Sequence, residues 1–386
     1  MEQKKIVPSL IISRTVTSLP TFLAGLLLVD IAFEVGNSVG VTGQIFTVSR
    51  FVGIFASLIV GHLSLRYAHK RLLIVGLLFE IVSAIGCYLS QNFEILMIAY
   101  VMSSIGYAII IPMSTTLVRE YYQAEQTGDI LGKIVAGSTV IGIIGGPFFG
   151  IVANMSGWRS TFPIFIIPFS LLSIIMVAKW LPDPAKRLSG EKPDSTITSF
   201  KTILKSRSAV ACLIGWALAN GVFSALVFYG PSFFREIHAM PTTTASLLQS
   251  TMTLSFTVGT LISGRILEKF GRKHIIFSSM SMVGIGIILY TNVANFWLSV
   301  LSMIVTYFLA GPFFIAANSM MLDQVPEFRS VMMSVSSSAD QLGSAIGAGL
   351  GGIVLVLFSY GTVGIILGAL SIVTALTFRL LTVDHH

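Results

Sequence analysis

Two basic segments, Gly61–Arg71 and Gly264–Lys273, each lie between long apolar stretches, and their leading glycines stand 203 positions apart in a chain of 386. Pro112 recurs as Pro312, and the ladder Gly142, Gly146, Gly150 recurs as Gly343, Gly347, Gly351 at nearly the same offset. Independent matches at one offset mark a duplicated unit, and the apolar flanks make it a membrane unit.

The chain is 54% hydrophobic and 11% charged, against roughly 25% charged in an ordinary soluble domain. Such a surface cannot be covered in water, so most of the chain must face lipid. A spanning helix needs about 20 apolar residues. Twelve segments qualify, near 11–32, 41–63, 72–90, 94–117, 132–153, 161–181, 209–230, 246–267, 274–291, 296–320, 331–357 and 361–380. The runs are continuous rather than alternating with period two, which argues against a β-barrel. The 35 glycines suit close helix contact in lipid.

A net charge of +7 raises nucleic acid as a partner, but the placement of the charges argues against it. With the amino terminus taken as cytoplasmic, eighteen lysines and arginines fall on that side, from Lys4 and Lys5 to Arg379, and only Arg159 and Arg235 fall on the other. That is the positive-inside pattern, and it predicts a multi-pass protein of the cell (inner or plasma) membrane with both termini cytoplasmic. The first apolar stretch is too long for a cleavable signal and lacks a small-residue cleavage site. Cys87 and Cys212 fall inside spans and suggest neither a disulfide framework nor a metal site. His385 and His386 carry no part of the argument.

Spans one to six and seven to twelve form two halves, 1–181 and 209–386, joined by a cytoplasmic linker at 182–208 that opens Pro182-Asp-Pro184. The expected fold is all-α, six helices plus six about a pseudo-twofold along the membrane normal, with a central cavity where the halves meet.

On these residues the chain resembles the major facilitator superfamily over essentially its whole length. The loop Gly264–Lys273, a glycine, then Glu268, then Lys-Phe-Gly-Arg-Lys, resembles that family's loop between the second and third helices of each half. The run Gly142–Gly150, containing Pro147 and followed by Gly157-Trp-Arg159, is similar to the glycine-proline signature of its antiporters. Asp30–Ser38 is similar to the outer end of helix one in proton-coupled drug and sugar efflux members. Two departures stand out: the first basic loop has Leu65 for the family's acid and Ala68 for the following glycine, and Tyr100 stands where many such antiporters carry an arginine. The resemblance implies a cavity lined from helices one, four, seven and ten.

Ionisable residues inside spans are the sharper signal, since each costs about 2.5–3.5 kcal/mol at the bilayer centre. Arg50 lies in helix two, with Gln44 and Thr47 at three-residue spacing and Ser57 beyond; Glu80 lies at similar depth in helix three. The pair either forms a structural ion pair, or Arg50 meets an anionic substrate group or tunes a proton-binding Glu80. Asp340, with Ser337, Gln341 and Ser344, forms a polar strip in helix eleven. A carboxylate is costly to keep charged there, which suits proton exchange, unless serines satisfy it structurally. Asp30 and Glu34, near the outer end of helix one, read as solvated, though Asp30 joins Asp340, Glu80 and Arg50 as a proton-coupling candidate. The glycine ladder gives either plain close packing or an edge that governs how the halves seal, with Pro147 permitting a bend.

At the cytoplasmic ends Glu120 and Asp323 are again 203 apart. Glu120 is expected to engage Arg66 or Arg71, and Asp323 to engage Arg272 or Lys273, as a gate with two states or as plain surface pairs. Gly61, Gly264 and Glu268 complete that gate, Glu268 being able to bridge neighbouring helices. Candidates for the cavity wall are Tyr107, Trp216, Asn220, Phe223, Tyr229, Gln249, Thr253, Tyr307, Phe313 and Asn318. Aromatic walls with few polar anchors suit an amphipathic molecule.

The expected function is export of a drug-like or sugar-like compound by proton antiport with alternating access. No phosphate-binding loop of the GxxxxGK type, HExxH or GxSxG pattern is present, so ATP hydrolysis and intramembrane catalysis are not supported. No cofactor beyond the proton gradient is expected; the partners are a small molecule, protons and the bilayer, with no nucleic acid, for a monomer. The alternatives are uptake or symport of an organic anion anchored by Arg50, and a transporter-like sensor.

Overall fold

The computed structural model describes residues 3–64, 66–182, 203–325 and 329–383. Leu65, linker residues 183–202 and the final His385 and His386 lie outside the described residues. Among the described residues the chain is helical and no strand occurs. In lipid every backbone N–H and C=O must be paired within its own segment, and continuous apolar runs can meet that demand only as helices.

The helices are α1 (Gln3–Leu26), α2 (Leu28–Val35), α3 (Val39–Ser64), α4 (His69–Leu89), α5 (Phe93–Tyr121), α6 (Ala124–Trp180), α7 (Arg207–Ile237), α8 (Thr242–Phe270), α9 (Arg272–Asn292), α10 (Phe296–Asp323), α11 (Arg329–Leu357) and α12 (Tyr360–Leu381). Ten helical segments are long and apolar enough to cross a membrane. Helix α6 supplies a second crossing after a break at Gly157, and α8, richer in serine and threonine, supplies the remaining one, which gives twelve. Large apolar side chains such as Leu58 (67% exposed), Leu261 (74%) and Trp297 (75%) face outward, as a lipid-embedded surface requires.

The duplication reaches the helix boundaries. The starts of α3 and α8, of α4 and α9, and of α5 and α10 are each 203 residues apart. Even the caps repeat: Asn92 accepts from the Ile95 N–H at 2.9 Å, and Asn295 accepts from the Leu298 N–H at 3.1 Å.

Two compact units are present, Met1–Arg187 with Val227–Ser250, and Leu188–Leu226 with Thr251–His386. The end of α7, the turn after it and the start of α8 therefore pack with the first unit.

Within that unit the first span is broken between Leu26 and Leu28. The Leu26 carbonyl, left without its helical partner, accepts from Arg235 Nη1 at 3.1 Å. Helix α6 turns back on itself at Gly157, whose φ of 79° and ψ of 161° suit a residue without Cβ. In the second unit α7 and α11 touch backbone to backbone: a Cβ on Gly347 would lie 2.5 Å from Gly221 Cα, and one on Gly343 would lie 2.6 Å from the Ala217 carbonyl carbon.

Candidate functional site

Three helices of the first unit turn polar faces to a cavity. Helix α1 contributes Thr17 and Thr21, α3 contributes Phe46, Ser49 and Arg50, and α5 contributes Tyr100, Ser103, Ser104 and Tyr107. Spacings of three and four put each set on one helical face. The space between them is small, with room for about one water.

Arg50 is half-buried and lies over two rings, 4.3 Å from the Tyr107 centroid and 4.7 Å from that of Phe46. Its one side-chain hydrogen bond among the described residues runs from Nη2 to Thr21 Oγ1 at 3.3 Å. Gln44 and Thr47 are not its partners: Gln44 Nε2 reaches back to the Gly40 carbonyl at 3.5 Å. Phe46, at i−4, takes the place that three-residue spacing had given them.

Glu80, fully buried, makes no ion pair with Arg50. Its Oε2 accepts from Ser103 Oγ at 2.9 Å, and its Oε1 has no hydrogen-bond partner among the described residues. The structural pair between helices two and three is thereby corrected. The arginine lies on aromatic faces and the acid bonds a serine.

Sequence reasoning passed over Arg14. It is half-buried in α1, one turn before Thr17 and two before Thr21. A lone cation deep in the first span was signal enough to find it.

The acids at the end of helix one are paired rather than merely solvated, which corrects that expectation. Asp30 accepts two bonds from Arg235, Nη1 to Oδ2 at 2.6 Å and Nη2 to Oδ1 at 2.7 Å. Glu34 pairs with Arg159 and accepts from Trp158 Nε1. Arg159 also donates to the Ser90 carbonyl at 2.8 and 3.1 Å, so the Gly157-Trp-Arg turn ties α2 and α4 together.

In the second unit Phe223 is the hub of an aromatic cluster, with ring centroids 5.1 Å from Phe256, 5.1 Å from Phe314 and 5.5 Å from Tyr307. Trp216 meets Phe314 edge-on at 5.4 Å, and Asn220 donates to the Trp216 carbonyl at 2.8 Å. Phe313 is not part of this wall: it is 1% exposed and packs 5.9 Å from Phe378. Its neighbour Phe314 takes that position, one helical turn from half-buried Asn318, and Phe256 joins unforeseen. Tyr229 and Gln249 belong to the first unit, Tyr229 buried against Gly43 and Gln249 donating to the Phe22 carbonyl at 3.4 Å. Thr253, half-buried, accepts from Thr257 through its carbonyl at 2.8 Å. Asp340 is half-buried, and Ser344 sits 3.4 Å from its Oδ1 while sharing a 2.7 Å bond with Ser224 of α7.

At the basic-loop ends Arg272 Nη1 donates to Asp323 Oδ2 at 2.6 Å. Glu120 meets His69 Nδ1 at 2.5 Å, not Arg66 or Arg71, which are exposed. Histidine 69 stands 203 residues before Arg272, so the duplication itself held the signal. Lys273 donates to the Thr382 carbonyl, and Glu268, exposed, forms no ion pair among the described residues and so bridges nothing. Gly61 and Gly264 are exposed with open space around them.

The helix-five ladder packs on α8. A Cβ on Gly150 would lie 2.8 Å from Thr243 Cα, one on Gly146 would strike the Ser250 hydroxyl, and one on Gly142 would meet only Phe22, at 3.6 Å. Pro147 sits inside the helix.

The sequence profile of the Major Facilitator Superfamily matches residues 10–248 and 235–386. A relative from Helicobacter pylori (strain G27), named "Probable sugar efflux transporter", is 25% identical over 363 residues, 94% of this chain and 91% of the relative. "Multidrug resistance protein 3" of Bacillus subtilis (strain 168) is 22% identical, covering 84% of this chain and 75% of its own length. Among solved structures, a D-xylose-proton symporter superposes with a TM-score of 0.85 at 15% identity, over 100% of this chain and 99% of that one.

Proposed function

This chain belongs to the Major Facilitator Superfamily, and on that premise we propose that it exports a small drug-like or sugar-like compound by proton antiport, through alternating access. It is a multi-pass membrane transporter of small molecules, not an enzyme. Relatives named for sugar efflux and multidrug resistance favour the outward direction and the cargo class. In this reading the basic-loop ends and both termini face the cytoplasm, and the protein works as a monomer.

Glu80 carries the proton part of the proposal. A fully buried carboxyl with one oxygen unmatched costs much to hold as an anion, and a proton removes that cost. A rearrangement on cargo binding that supplies or removes a partner for the unmatched oxygen changes that cost, which links the proton to the cargo. Asp340, bonded to a serine, is the second candidate.

Reconstituted vesicles with a trapped pH dye test this. Glu80→Gln should abolish proton movement coupled to cargo while leaving exchange of labelled for unlabelled cargo intact. Coupling that survives in Glu80→Gln and also in Asp340→Asn overturns the assignment to these two carboxyls, and a native chain that moves cargo without moving protons ends the antiport reading. Uptake or symport of an organic anion is favoured by one observation, that Arg50 has no acid partner among the described residues. The direction of pH change on adding cargo separates it from export.

A further inference from the structure

We propose that Ser103 is the relay through which Glu80 exchanges its proton with the cavity between α1, α3 and α5. The proposal rests on the reading of Glu80 as the proton-carrying group and adds the route. Glu80 is 0% exposed and is not among the residues that line that cavity. Ser103 touches both: it lines the cavity, and its hydroxyl donates to Glu80 Oε2 at 2.9 Å. No other hydrogen bond reaches the carboxyl among the described residues.

The way Ser103 spends its hydrogen sets it apart. A serine inside a helix commonly donates to a carbonyl three or four residues back. Ser49 does so to Phe46 at 2.9 Å, and on α5 itself Ser114 and Thr115 do so to Ile111 at 2.9 and 3.0 Å. Ser103 instead reaches across to α4, and its oxygen keeps lone pairs that accept from the cavity side. The other oxygen of Glu80 lies against Gly106, where a Cβ would stand 3.0 Å from Oε1 and 2.9 Å from the Gly76 carbonyl oxygen. With Gly106 and Gly76 closing that side, Ser103 is the polar contact between carboxyl and cavity. The ionisable side chains around this route are Arg14 of α1, Arg50 of α3, Tyr100 and Tyr107 of α5, and Cys87 two turns along α4. Helix α6 is tied to α4 at both ends, by Arg159 to Ser90 and by Lys70 to Leu181, and carries no ionisable residue between Arg159 and Lys179.

The cavity has room for about one water. A protonated water there gives its proton to Ser103 Oγ while the Ser103 hydrogen passes to Glu80 Oε2. The water is left neutral, the serine unchanged and the carboxylate a carboxylic acid; the reverse step returns the proton. A cargo group that takes the water's place stops the exchange, so proton movement and occupancy of this cavity exclude each other.

The test is hydrogen–deuterium exchange at Glu80 in the full chain in detergent, read by infrared difference spectroscopy from the carboxylic C=O band that Glu80→Gln removes. Ser103→Thr and Ser103→Val have the same shape and differ in the hydroxyl. Exchange in Ser103→Val should be slower than in Ser103→Thr by about tenfold or more, since a positioned proton-transfer group contributes about 10²–10⁴-fold and water can replace part of it. Ser104→Ala, which alters the same wall, should exchange like the native chain. If either bulkier variant unfolds, Ser103→Ala against the native chain decides on the same margin. A serine that only holds the carboxyl in place would shift the pH midpoint of the band and leave the exchange rate alone. A smaller ratio than tenfold, or equal slowing in Ser104→Ala, overturns the relay. Absence of any band removed by Glu80→Gln, at every pH where the chain stays folded, ends the Glu80 reading and the relay together. A Glu80 band whose exchange ignores Ser103 ends the relay alone.

Discussion

At single residues the question is how each intramembrane charge is satisfied, and the answer differs from one to the next. Arg235 meets Asp30 with both Nη atoms and also holds the Leu26 carbonyl at the break in the first span. Its side chain is 10% exposed and that of Asp30 is 34% exposed. Breaking a fully buried pair costs about 3–5 kcal/mol, and the exposure of Asp30 brings this to roughly 1–3 kcal/mol. Asp30→Asn should therefore lower the unfolding temperature in detergent clearly, and Arg235→Lys, which keeps charge but loses the second prong, should do so by less. Glu34, 44% exposed, is expected to matter less than either. A Glu34→Gln variant as unstable as Asp30→Asn would contradict this account.

At the scale of helices, glycine spacing was plainly legible and its consequences were not. The repeat of Gly142, Gly146, Gly150 as Gly343, Gly347, Gly351 announces two close helix contacts, but not which atoms stand opposite. That depends on the neighbour's rotation, which a one-dimensional pattern does not hold. In α6 the ladder meets mainly serine and threonine of α8, whereas in α11 it meets the backbone of α7. Residue by residue the same limit appears: Phe313 and Phe314 are indistinguishable by type, and only the rotation of α10 sends one to the core and the other to the aromatic cluster. Arg50 and Glu80 were visible as buried charges, yet their partners, two rings and a serine, were not. Gly347→Ala should cost about 1–3 kcal/mol or more, because a backbone opposite cannot turn aside. Gly142→Ala, with only Phe22 at 3.6 Å, should stay within about 0.5 kcal/mol. Unfolding temperatures of the two variants check this, and equal losses would refute it.

Across the whole molecule the 203-residue repeat sets a pattern that individual residues then break. Lys70 donates to the Leu181 carbonyl at 2.7 Å, and Lys273, its counterpart, donates to the Thr382 carbonyl at the same distance. The charge pair beside each lysine is also repeated, but with different chemistry: His69 with Glu120 at 2.5 Å in one unit, Arg272 with Asp323 at 2.6 Å in the other. Arginine is charged at every working pH and is joined by a second bond, from Nη1 to Ser319 at 3.2 Å. Histidine carries its charge only when protonated. The two ends should therefore hold unequally. With side chains 10% and 23% exposed, the Arg272–Asp323 pair is drier than an ordinary surface pair worth about 0–1 kcal/mol. Asp323→Asn takes the charged partner from the arginine and should lower the unfolding temperature more than Glu120→Gln does. If the pair is also a gate, a reporter cysteine at the exposed Gly264 should change its maleimide labelling rate in Asp323→Asn and not in Glu120→Gln. Labelling unchanged in both would reduce the pair to a structural clamp, and a larger effect from Glu120→Gln would invert the asymmetry argued from the two bases.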